Sequence, residues 1–200
     1  MGFCPYRCWL PPPRGRRVKI AAMNLNDDRI LNAALMEAVD FIQAEGWDRP
    51  ATLFALVPTE LVADALELTE ARNPLSLIVQ DDLPEHIRPG SEELGEFVAS
   101  IRWPAQVVGA ILAQEISFVD ASLGEDAAPQ QARLFSGILD AGARDGAAAA
   151  GDGSERTLLQ LRPTEEELAA DPFGQDRVEL RGGEDIAPGV IAALRATFVD

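Results

Sequence analysis

Residues 105–119 read AQVVGAILAQEISFV, an alternation of period two that suits a β-strand and little else. Val108, Ala110, Leu112, Ile116 and Phe118 fall on one face, while Val107, Gly109, Ile111, Ala113 and Glu115 fall on the other. Both sets are apolar or small near the middle, so the strand needs cover on both faces there. It also needs neighbours for its backbone N–H and C=O groups. Runs at 132–139 and 157–162 supply them. The connections carry turn residues and no crossover helix, so the three strands are expected as an antiparallel meander.

Shorter strands are expected at 52–57 (TLFALV) and 75–79, with an edge strand at 177–180. The helices have readable starts and stops. Leu31, Ala34, Leu35, Ala38 and Ile42 repeat at helical spacing over 28–45, and Gly46 ends that helix. Thr59 can cap a helix over 60–71, and Ser91 one reaching 101 with Leu94, Phe97, Val98 and Ile101 inward. Thr164 and Glu167 have capping-box spacing. Asp185 can cap a last helix over 186–198, with Pro188 in its first turn. Residues 81–90 read as a loop, and 141–153 as a low-complexity Ala/Gly excursion. The expected fold class is α/β of the α+β type, a largely antiparallel sheet with helices packed mainly on one face. Leu35 and Leu194 are expected over the Leu112 face, leaving Glu115 on a partly open one.

The 200 residues suffice for one domain with an appendage. Residues 1–22 hold Arg7, Arg14, Arg16, Arg17 and Lys19 with no acid; the other 12 bases and all 33 acids lie in 23–200. The break in charge, proline content and periodicity marks 1–22 as a disordered basic tail, expected to be translated upstream sequence with Met23 as the natural start. Residues 23–200 form a single α/β domain. So acidic a body repels polyanions and attracts basic surfaces, which sets nucleic acid aside as a partner and favours a basic protein or peptide. No apolar run approaches the ~18 residues of a membrane span, and the N-terminus lacks the order of a signal peptide, so a cytoplasmic location without membrane attachment is expected. Cys4 and Cys8 are the only cysteines, too few with a single histidine to build a zinc site.

Chemistry is defined mostly by exclusion. Lys19 is the only lysine, so the body has no Walker A motif and no Schiff-base lysine. There is no G-x-S-x-G elbow and no dinucleotide-binding glycine pattern. His86 stands beside Asp81, Asp82 and Glu85, and two readings follow: a solvated acidic loop, or a carboxylate-based site in which an acid orients the imidazole. Glu92, Glu93, Glu165 and Glu166 sit where first-turn acids favour the helix dipole. Trp47 and Trp103 follow helix ends and are expected to staple them to the core, with ligand stacking as the alternative. No catalytic, cofactor-binding or metal-ligating residue is assigned, and no cofactor is expected.

The run MNLNDDRILNAALMEAVDFIQAEGWDRPATLFALVPT, then IRWPAQVVGAILAQE, then DIAPGVIAALRATF resembles a family of actinobacterial proteins whose naming member comes from a propionibacterium. The resemblance implies an actinobacterial, cytosolic source. It brings no activity and no catalytic residues. Two functions are therefore expected in competition: a non-catalytic protein-interaction or chaperone-like module for a basic partner, with homodimerisation open to it, or a small-molecule-binding domain or enzyme using carboxylates near His86.

Overall fold

The computed structural model describes residues 28–62, 73–119 apart from 82 and 85, 128–140, 153–171, 178–182 and 186–199. Residues 1–22, the Ala/Gly excursion up to 152, and Asp185 lie outside these. The elements in chain order are α1 (Asp28–Glu45), β1 (Thr52–Pro58), α2 (Thr59–Val62), β2 (Leu75–Gln80), α3 (Glu92–Ser100), β3 (Gly109–Phe118), β4 (Gln130–Leu139), β5 (Glu155–Leu161), α4 (Glu165–Ala170), β6 (Leu180–Gly182) and α5 (Pro188–Ala196).

One six-stranded sheet runs β2-β1-β3-β4-β5-β6, and every described pairing is antiparallel. The expected meander β3-β4-β5 is its centre. In that register Leu112 lies opposite Ser136 and Leu53, and Ile111 opposite Gly137 and Phe54. Odd and even positions of β3 therefore continue as two separate faces across the whole sheet.

Most helices pack on one face, as expected, but α1 takes the other, which corrects the placing of Leu35 over Leu112. α1 lies on the Ile111 face, where Leu31, Leu35 and Ala38 join Phe54, Ile111, Phe135 and Leu158 in one apolar cluster. α3 and α5 lie on the Leu112 face, where Leu94, Val98, Ile191 and Leu194 join Leu53, Ala110, Leu112 and Ile138. Leu35 and Leu194 are thus on opposite sides of the sheet. The reason is in β3 itself, since two apolar faces require two layers of cover. Gly137 makes room for α1: a Cβ there would meet Leu31, Leu35 and Ile111 side chains at 3.0–3.2 Å.

β3 also begins later than its alternation suggests. Val107 N–H bonds the Pro104 carbonyl in a turn, and Val107 then packs with the Leu112 side while Val108 packs with α1. The period-two reading fails where the chain turns rather than extends. Gly109 opens the strand at a point of close approach, where a Cβ would fall 2.4 Å from the Ile138 carbonyl oxygen.

Local signals place the helices well. Gly46 closes α1 with φ +81, the left-handed conformation that favours glycine. Ser91 accepts the Leu94 N–H at the head of α3. Thr164 and Glu167 form the reciprocal capping box of α4. The exception is α5, whose N-cap position falls to Ala187, in the left-handed region with φ 55 and without a side-chain cap bond. The helix expected over 60–71 is described only as far as Val62.

Candidate functional site

A groove of about 500 Å³ lies on the Leu112 face, between α3 and α5. Its floor is β3, through Leu112 and Gln114, and its walls include Leu94, Gly95 and Ala99 from α3 and Gly189, Val190 and Ala193 from α5. The two helices are tied at their C-terminal ends: Trp103 Nε1 donates to Thr197 Oγ1 at 2.8 Å, and the Trp103 and Phe198 rings lie 6.3 Å apart. The groove lies toward their N-terminal ends. Trp103 is therefore a staple rather than a ligand-stacking surface.

The polar groups of the groove are few. Gln114, 4% exposed, accepts the Gly90 N–H on its Oε1 at 2.8 Å. That bond orients the amide and leaves its NH₂ as the side chain's donor. The backbone of 86–91 is shaped to reach it: Gly90 has φ +73, and Ile87 anchors the loop in the core. Glu92 and Glu96 line the groove from exposed positions one helical turn apart, so both carboxylates share one side of α3. The uncapped first turn of α5 contributes partial positive charge at Ala187 and Gly189. The lining is thus largely apolar, with the Gln114 amide and an acidic rim. Among the described residues it contains no cysteine, histidine, lysine or arginine.

His86 lies exposed in the 86–91 loop, and Asp81 is also exposed. Asp82 and Glu85 lie outside the described residues. Among the described residues no group of three or more histidine, cysteine, aspartate and glutamate side chains could hold a metal. Neither His86 nor Asp81 lines the groove.

A second polar cluster was not read from the sequence. Glu115 and Arg133 are directly opposite on β3 and β4, on the face covered by α1, and pair at 3.3 Å. Arg133 is 1% exposed. Its guanidinium also donates to Gln43 Oε1 at the end of α1 and to the Gly46 carbonyl. It stacks 3.9 Å from the centre of the Trp47 ring, which Arg162 approaches at 5.3 Å. Glu115 in turn accepts the backbone N–H groups of Asp48 and Arg49. Burial pushes the Arg133 guanidinium below its ordinary pKa, and the Glu115 carboxylate works in the opposite direction. Arg162 forms a two-pronged pair with Asp48 at 2.7 and 2.8 Å, which holds the Asp48 carboxyl below its usual range. Gln160 Nε2 donates to Gln43 Oε1, and only its Oε1 lacks a partner among the described buried side chains. This cluster clamps the α1–β1 turn over the sheet. Its charges answer one another, so it is an anchor, and the expectation that Glu115 faces an open surface is corrected. The signal was available: Glu115 and Arg133 occupy positions of inward parity in otherwise apolar strands.

No helix among the described residues is long and apolar enough to cross a membrane. No curated protein and no solved structure matches the chain. A family model described as PPA1309-like protein matches residues 31–199, which takes in nearly all of the sheet and helices described above.

Proposed function

Because the chain belongs to the PPA1309-like protein family, a family that brings no activity with it, we propose a function from its own residues: a non-catalytic interaction module that receives a basic segment of a partner protein. The observation that carries this reading is the groove between α3 and α5, apolar within and edged by Glu92 and Glu96, on a chain of net charge −16. Such a surface attracts cations over a distance set by ionic strength and rewards apolar burial on contact. The same charge disfavours nucleic acid. The cysteine-free stretch from residue 23 onward and the family resemblance support a cytoplasmic, actinobacterial setting.

Titration of an acetylated, amidated peptide of alternating Leu and Arg tests this, with the Leu–Glu counterpart as control. The Arg peptide should bind and weaken as salt rises, and the Glu peptide should not bind. Equal binding of the two, or none by either, would remove the proposal.

A second reading has its own support. A groove of about 500 Å³ falls within the range of small-molecule sites. That shifts the ligand-binding alternative from His86 to this groove. Native mass spectrometry of protein purified from its host tests it: a bound metabolite at unit stoichiometry supports it, and bare protein counts against it.

A further inference from the structure

The groove carries two glycines that stability does not explain. Gly95 lies inside α3 and Gly189 in the first turn of α5, neither has a positive φ, and a Cβ added at either would meet nothing within 4 Å among the described residues. Glycine weakens a helix relative to alanine, and here neither packing nor backbone conformation requires it. Gly109 and Gly137, by contrast, are each forced by close neighbours. What Gly95 and Gly189 do share is a place in the lining of the same groove. Below them Gln114 is nine-tenths buried, its Oε1 accepting the Gly90 N–H.

We infer that the groove recognises an internal stretch of basic polypeptide, one apolar side chain filling the space kept by Gly95 and Gly189 and a main-chain carbonyl accepting from Gln114. An adjoining Arg or Lys of the ligand pairs with Glu92 and Glu96 on the rim. The inference deepens the basic-partner reading and rests on it. A neutral carbonyl is favoured over a terminal carboxylate because the rim glutamates and the net charge of −16 oppose an entering anion. The apolar side chain supplies the specificity that charge attraction lacks.

The probe is the acetylated, amidated Leu–Arg peptide, titrated against the full chain. Gly95→Leu and Gly189→Leu each place a side chain in open space, so both variants should melt within a few degrees of the parent while binding the peptide at least about tenfold more weakly. Gln114→Glu keeps an oxygen for the Gly90 N–H and replaces the donor. It should also weaken binding about tenfold, although simple charge attraction would strengthen it. A peptide ending in a free leucine carboxylate should bind less well than its amide. If the parent chain does not bind the amidated probe, the basic-partner reading falls and takes this one with it. If it binds and both leucine variants bind equally well, only the groove assignment falls. Unchanged or tighter binding by Gln114→Glu overturns the donor role, and tighter binding of the free acid overturns the choice of carbonyl.

Discussion

Glu115 holds the backbone N–H of Asp48 with both carboxylate oxygens, at 3.0 Å each, across 67 residues of chain. The same carboxylate neutralises Arg133 beneath it. Asp48 has φ 66, a conformation an aspartate tolerates but does not prefer, so the turn relies on this clasp. Glu115→Ala leaves the Arg133 charge buried without its partner, at an expected cost of about 3–5 kcal/mol in urea melts. The double variant Glu115→Leu, Arg133→Met should recover much of that loss, since apolar replacement of a whole buried pair is far milder than halving it. A cost under about 0.5 kcal/mol for Glu115→Ala would show that the pair is as dispensable as a surface contact.

Leu35 and Leu112 lie on opposite faces of the sheet and belong to different apolar clusters. Each is buried, at 0% and 2% exposure, so Leu35→Ala and Leu112→Ala should each cost roughly 2–5 kcal/mol. Because the side chains share no cluster, the double variant should equal the sum within about 0.5 kcal/mol. Coupling well beyond that would contradict the two-sided arrangement.

Gly109→Ala should destabilise by roughly 1–3 kcal/mol, a cost of overpacking. The obstacle is the Ile138 carbonyl in the sheet backbone, which cannot rotate aside as a side chain would. Ala substitution at Gly95, where the added methyl meets nothing, should instead leave the melting temperature unchanged or raised. The two thermal melts together separate a glycine required by packing from one that is not.

Acid should weaken the fold through two carboxylates. Arg162 lowers the Asp48 pKa, and the Thr164 backbone N–H lowers that of Glu167. A depressed native pKa gives stability that is present in full above the unfolded-chain value, near ~4, and lost as pH falls through the native one. Thermal melts taken downward from pH 5 should show this decline. Asp48→Asn and Glu167→Gln should each flatten it, Asn being chosen because it too accepts positive φ. A profile unchanged by both substitutions would mean that neither pairing matters in solution.

His86→Ala should change stability by less than about 1 kcal/mol, as befits an exposed loop residue. The variant should also leave the metal content of the purified protein unchanged. A metal lost on this substitution would restore the carboxylate-based site near His86.

The sheet and most helix ends were legible because they rest on local signals. Period two marks β3, short runs mark β4 and β5, Gly46 stops α1, and Ser91 and Thr164 cap their helices. Layering was not legible in the same way. The apolar stripes of α1 and α5 each require a face, but nothing in either helix says which, and the answer lies in the doubly apolar middle of β3. The groove was the least legible part. Gly95 and Gly189 read as ordinary helix glycines, and Gln114 as a polar residue in a strand. Only the docking of α3 beside α5 gives the three a common space.

The clamp on α1 has a consequence for the order in which the molecule is made. Gln43 leaves the ribosome 117 residues before Gln160, its partner on β5. At roughly 5–20 residues per second, α1 waits about 6–23 s before the floor beneath it is complete. Throughout that interval the apolar stripe from Leu31 to Ile42 has only part of its native cover, since Phe54 and Ile111 emerge before Phe135 and Leu158. The first described helix can thus begin to dock early but completes its seating only when β5 has emerged.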